Sequence, residues 1–187
     1  MIVKNLIGQF VDLRPINASD AEITLSWRLS GRSRHLNAVS GDLESQLNWI
    51  ANRPESDFDF IIILKTGLRV GMVSLTEIDM VNKNAVPGRF LIGDVAAVKG
   101  KPVAVEAMSL VYQLAFDQLN LVRLHGLVAE KHLKMTKWQM YLGMKVEGVL
   151  RSHLFQNGSF ENAIALGLLE EDYRKITIPR MKALMSV

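Results

Sequence analysis

Residues 58–79, FDFIIILKTGLRVGMVSLTEID, constrain the fold more than any other stretch. FDFIIIL is a strongly apolar strand, and Lys65-Thr-Gly-Leu turns the chain back into a second strand over Arg69–Asp79. Periodicity on either side extends this hairpin into a larger sheet. GQFVDLR, ending at Arg14, alternates as a strand, and Ser19-Asp-Ala-Glu22 has the spacing of a capping box opening a helix to about Leu29. A second helix carries Leu43, Leu47 and Ile50 on its core face and stops before Pro54.

Downstream, Asn82, Asn84 and Pro87 mark a loop, and Arg89–Val95 is the next strand. A helix from Pro102 to Gln118 presents Ala104, Ala107, Met108, Val111 and Ala115 to the core. Leu121–Val128 is a strand, His132–Leu142 a short helix, and Val146–Phe155 with Ser159–Leu169 a hairpin around Gln156-Asn-Gly. The tail is a helix with an irregular end. The order β-α-α-β-β-β-α-β-α-β-β implies one α/β (α+β) domain over 1–187, a mixed sheet with helices on both faces.

Composition narrows the chemistry. Without cysteine there is no disulfide framework, thiolate zinc site or thiol nucleophile, and a reducing cytoplasm is the simplest location. The Met1–Leu13 start lacks the apolar run of a signal peptide, and no stretch nears the roughly 18 apolar residues of a membrane span. Twenty-two basic against 19 acidic residues give +3, which suits an anionic small molecule but is too scattered for nucleic acid. Four histidines without metal-ligand spacing predict no metal site.

The stretch AVKGKPVAVEA, residues 97–107, has neither the GxxxxGK[ST] nor the GxGxxG pattern. As a plain helix start it has Pro102 at the first helical position. As an anion site it has Lys99 and Lys101 around Gly100, ahead of a helix N-terminus whose free N–H groups attract anions.

These residues and the order of elements resemble the GNAT acetyltransferases. That family's (R/Q)xxGx(G/A) turn puts Lys99 at its first position, Pro102 at its glycine and Ala104 at its last. LRPINASDAEITLSWR, VGMVSLTEID, LAFDQLNLVRLHGLV and YLGMKVEGVLR are similar to its successive segments. GSFENAIALGLLEED resembles the branch that acetylates ribosomal-protein N-termini and nucleotide-linked amino sugars. The resemblance implies acetyl-CoA as cosubstrate, its pyrophosphate on Lys99, Gly100, Lys101 and the N–H groups of Val103, Ala104 and Val105. It puts the pantetheine arm along Gly93, Asp94 and Val95. His132 takes the place of the family's pantetheine-binding asparagine, and Gln139 that of its frequent catalytic tyrosine.

Amine acetylation needs a base for the ammonium and stabilisation of the departing thiolate. Glu77 and Asp79 share a strand face by period two and are candidate bases, or else a solvated strand end. His132 or Tyr141 are candidates for the thiolate; a capping histidine and a core tyrosine are the plainer readings. Trp27, Arg28, Arg32, Arg34 and His35 are expected at the acceptor cleft, where a basic cluster suits a nucleotide diphosphate. Trp49 covers that cleft or packs on a partner. The function implied is N-acetyl transfer from acetyl-CoA to a small-molecule amine, of a nucleotide-linked amino sugar. A protein N-terminal acetyltransferase and an inactive binding protein of the same fold stay open beside it. The apolar tail Met181–Val187 offers a packing surface, and a homodimer stays open.

Overall fold

The computed structural model describes residues 4–33, 41–156 and 158–186. Strands β1 (Leu6–Ile7) and β2 (Val11–Pro15) lead to helices α1 (Ala21–Leu29) and α2 (Leu43–Ala51). Strands β3 (Phe58–Leu64), β4 (Arg69–Asp79) and β5 (Asn84–Ile92) follow, then the single-turn α3 (Val95–Val98) and α4 (Val103–Gln113). Next come β6 (Arg123–Ala129), α5 (Leu133–Tyr141), β7 (Lys145–Gln156) and β8 (Ser159–Leu169). A last helical stretch runs as α6 (Glu170–Asp172), a π-helical turn Tyr173–Thr177, and α7 (Ile178–Met185).

One eight-stranded sheet results, ordered β1-β2-β3-β4-β5-β6-β8-β7 and antiparallel throughout except where β5 meets β6. The apolar run of β3 is explained by burial on both sides. Ile62 joins Leu13, Val73 and α4 in the larger core, while its neighbour Ile61 points the other way into a smaller core with Trp27 of α1 and Ile50 of α2. Helices thus cover both faces of the sheet, as expected.

Several local expectations shift. The capping box is Asn17 with Asp20, on a short turn ahead of α1, because Asp20 is drawn into an ion pair with Arg14. The buried stripe of α2 runs through Gln46 and Ile50; Leu43 and Leu47 are partly exposed, because the Gln46 side chain turns inward to donate to Thr24 Oγ1 of α1 at 2.9 Å. Strand β5 starts at Asn84, inside the expected loop, since its first residues pair with β4 and β6. Helix α4 is buried nearly all round, with Ala104 half-buried and Gln113 exposed, because it lies under the C-terminal residues Tyr173 and Met181 as well as on the sheet. No helix among the described residues is long and apolar enough to cross a membrane.

Candidate active site

The site begins with a failure of strand pairing. Parallel β5 and β6 pair only through Asn84–Arg123 and Ala85–Leu124, then part. Pro87, Gly88 and Arg89 supply the reason. Proline brings no N–H, and Arg89 takes a left-handed φ of 47° inside a bulge where the β4 register slips between Met72 and Ser74. A bulged strand bends and twists, so β5 swings away from β6.

That gap is a cleft of about 600 Å3, with a smaller lobe of about 210 Å3 sharing the Pro87–Arg89 and Leu127–Val128 walls. Arg28 of α1 and Gln139 of α5 both line it. Because α1 and α5 pack on opposite faces of the sheet, the cleft lies between the strands and takes wall residues from both faces.

The two expected carboxylates separate. Strand β4 carries an extra residue between Thr76 and Asp79, and Glu77 has a left-handed φ of 52° there. The bulge breaks the shared face. Glu77 lines the cleft, exposed to water, with its N–H donated to Asp57 Oδ1 at 3.1 Å. Asp79 instead ties the turn beyond β4, accepting from the N–H groups of Asn82 and Val81 at 2.8 Å each and from the Asn82 amide at 2.6 Å. Those hydrogen bonds, Asn82's first, hold its carboxyl below the usual range. Asp79 is a turn cap and lies outside the cleft.

His132 caps the start of α5 and lines the smaller lobe. Tyr141 does not reach it. Its ring lies half-exposed under Arg180, whose guanidinium carbon sits 5.0 Å from the ring centroid, and Arg180 also donates to its carbonyl oxygen. Gln139 lines both lobes, and its Oε1 accepts from the Tyr112 hydroxyl at 3.1 Å.

Along the expected pantetheine wall the backbone already has partners. The N–H groups of Gly93 and Asp94 both donate to the Val70 carbonyl, at 2.9 and 3.1 Å, and the Asp94 carboxylate caps α3 through Ala97 at 3.0 Å. Val95 begins that helix. The edge of β5 facing the cleft is Pro87–Phe90. The turn itself is clearer. Lys99 ends α3, Gly100 takes a left-handed φ of 73° with open space around it, and Lys99, Gly100 and Lys101 are exposed. Pro102 is the N-cap, one position earlier than expected, and Glu106 makes the first helical bond, to the Pro102 carbonyl at 3.0 Å. The N–H groups of Val103, Ala104 and Val105 take no protein acceptor among the described residues. They lie at the N-terminus of α4, where an anion is favoured.

An acid does sit in that first turn, and the sequence reading missed it. The buried Glu106 carboxylate accepts the N–H groups of Gln9, Phe10 and Val11 at 2.6, 2.7 and 2.7 Å, so its charge is directed at the β1–β2 turn.

Of the expected acceptor residues, Trp27 is core. Its ring packs so closely on Gly93 that a Cβ there would lie 2.3 Å from it. Arg28 lines the cleft; burial and then the nearby Arg89 push its pKa down, while Asp59 pulls it up. Arg32 lines the smaller lobe and donates to the Ile92 carbonyl at 3.0 Å. Arg34 and His35 lie outside the described residues. Trp49 stacks under Arg89 at 5.5 Å. Arg89 holds Asp57 at 3.0 Å and Asp59 through two contacts of 2.9 and 3.0 Å; burial pushes the Asp59 carboxyl up and Arg89 opposes it. His125, bonded to Asn84 at 3.2 Å, and His153 also line the cleft. The available signal was Pro87-Gly88 within a strand pattern, which marks an edge or bulge. Among the described residues no metal-binding group of His, Asp and Glu assembles.

Residues 11–145 match the acetyltransferase (GNAT) domain family. Spermidine N(1)-acetyltransferase of Escherichia coli is 33% identical over 107 residues, 57% of this chain and 56% of that one, so the match spans about half of that relative. Probable N-acetyltransferase YjcK of Bacillus subtilis is 28% identical over 180 residues, 89% of this chain and 98% of that one. Among solved structures, a GCN5-related N-acetyltransferase from Brucella melitensis matches at TM-score 0.82 and 20% identity, over 98% of this chain and 86% of that one. A chimera of the Vibrio cholerae spermidine N-acetyltransferase SpeG matches at TM-score 0.77 and 18% identity, over 89% and 99%. None of these names carries the ribosomal-protein or amino-sugar acceptor of the expected branch. The family covers the whole stretch from β2 to the start of β7, including the strand that bends away, and the chain belongs to the GNAT acetyltransferases.

Proposed function

We propose that the protein transfers the acetyl group of acetyl-CoA to a primary amine, with the thioester entering from the α4–α5 side of the sheet and the amine from the α1 side. The observation that carries this reading is the parting of β5 and β6, which leaves one cleft with wall residues from both faces. The residues fit the cosubstrate. The exposed Lys99–Lys101 turn and the N–H groups beginning α4 suit its pyrophosphate, and the smaller lobe with His132 suits the pantetheine arm. When bound, acetyl-CoA supplies an activated acyl carbon. Glu77, in water at the cleft wall, takes the ammonium proton directly or through a water.

The acceptor is argued from charge. Arg28 and Arg32 face the cleft, with Arg89 beside them paired to Asp57 and Asp59, against the single carboxylate Glu77 among its described lining residues, which favours an amine on an anionic molecule, such as a nucleotide-linked amino sugar. The names of the E. coli and Vibrio relatives favour a second reading, a polyamine. Thiol release from acetyl-CoA, measured with a panel of nucleotide-linked amino sugars and with spermidine, tests both. Turnover on the sugars with none on spermidine supports the first reading, and the reverse overturns it. If acetyl-CoA at millimolar concentration leaves the melting temperature unmoved, where about 2.7 kcal/mol is expected at one hundred times Kd, the acetyltransferase reading itself fails.

A further inference from the structure

We propose that the side-chain amide of Gln139, held by the buried hydroxyl of Tyr112, donates a hydrogen bond to the sulfur that departs during acetyl transfer. The inference rests on the acetyltransferase reading above. Tyr112 lies within α4 with no exposed surface, so its hydroxyl needs a protein acceptor, and among the described residues Gln139 Oε1 at 3.1 Å supplies it. Burial pushes the phenol's pKa up, which keeps its proton in place. The direction of the bond follows. Turning the amide over would set N–H against O–H and leave the tyrosine proton without an acceptor.

With Oε1 committed inward, the amide nitrogen faces the other way. It makes one weak contact, to Met135 Sδ at 3.8 Å, and its second N–H has no protein partner among the described residues, while the residue lines both lobes of the cleft. The charged and titratable groups around it are Arg32, Arg89 and His132 in the smaller lobe and Arg28, Glu77, His125 and His153 in the larger. An amide donates without ionising, so it stabilises negative charge on sulfur and gives up no proton. In the step, the amine lone pair forms the C–N bond at the thioester carbon. The C–S bond breaks with its electron pair on sulfur, and the amine's protons pass by way of Glu77 to water. Sulfur leaves as thiolate and is protonated from solvent.

The test is a titration of coenzyme A bound to the intact protein, following thiolate absorbance with pH. In the unaltered protein the bound thiol titrates below its value in free solution. Gln139→Ala raises that value by about one unit, since the lost bond is to a charged acceptor. Tyr112→Phe, which frees the amide to turn, raises it by part of that. Turnover falls by roughly 10²-fold in Gln139→Ala, while coenzyme A affinity at low pH, with sulfur protonated, stays at the parent value. An unchanged thiol titration in Gln139→Ala overturns the proposal, as does a shift seen only in His132→Ala. Failure of coenzyme A to bind the unaltered protein removes the acetyltransferase reading as well, and calorimetry separates that outcome from the other two.

Discussion

Removing the Glu106 carboxylate should be the most damaging polar change near the Lys99–Lys101 turn. Three backbone N–H groups converge on it, and only that of Val11 is fully shut off from water; Gln9 is exposed and Phe10 half-buried. Glu106→Ala therefore leaves one buried donor unsatisfied, costing about 1–3 kcal/mol, and loses two further bonds of about 0.5–1.5 kcal/mol each that water partly replaces. The sum centres near 3–4 kcal/mol, within the range for breaking a buried charged contact. For a chain of this size that lowers Tm by about 10 °C. Glu106→Gln keeps the shape but turns an NH2 toward N–H donors, and should lose about half as much. Gly8 belongs to the same unit, because a Cβ there would meet the Val11 carbonyl at 2.6 Å and the Glu106 carboxyl carbon at 2.7 Å. Thermal unfolding by circular dichroism, with urea unfolding as a check, measures all of this. A loss under about 1 kcal/mol in Glu106→Ala, or a Gln variant as stable as the parent, would refute the reasoning, which takes each donor's energy from its access to water.

Three further outcomes are expected. Glu77→Gln should lower turnover by roughly 10²–10⁴ with acetyl-CoA affinity unchanged, whereas Asp79→Asn should keep its turnover and lose only a little stability; steady-state kinetics showing the opposite order would move the base to Asp79. Gly93→Ala should cost about 3 kcal/mol and alter the near-ultraviolet signal of Trp27, because the new methyl meets the indole ring. Asp20 gives a pH dependence. Burial raises its carboxyl, but Arg14 at 2.7 and 3.0 Å, the Asn17 N–H and Arg69 outweigh that and hold it below the ordinary range. Its folded value is therefore the lower one, so its contribution is complete above about pH 4 and is lost as pH falls through the folded value. The gap in melting temperature between the parent and Asp20→Asn should be wide at pH 7 and close below that range.

The elements themselves were legible in the chain. A short apolar run rich in isoleucine and phenylalanine, such as FDFIIIL, reads as a strand, and β3, β4 and the β7–β8 hairpin lie within a residue or so of where their patterns begin and end. Gly100 in its left-handed turn, between two lysines and ahead of a helix start, was equally plain, because backbone conformation at glycine is a local matter. What the sequence left undecided depends on neighbours far along the chain. Glu77 and Asp79 look equivalent by period two, and a single extra residue in the pairing of β4 with β5 sends one into the cleft and the other into a turn. Trp27 looked like a cleft residue because nothing local says that Gly93, 66 positions later, will lie against its ring. Glu106 showed as one more acid on a helix until the β1–β2 turn brought three N–H groups to it. Bulges and long-range contacts of this kind are settled by packing across the sheet. Short-range periodicity does not contain that information, and for this reason the cleft between β5 and β6 exists only in the tertiary structure.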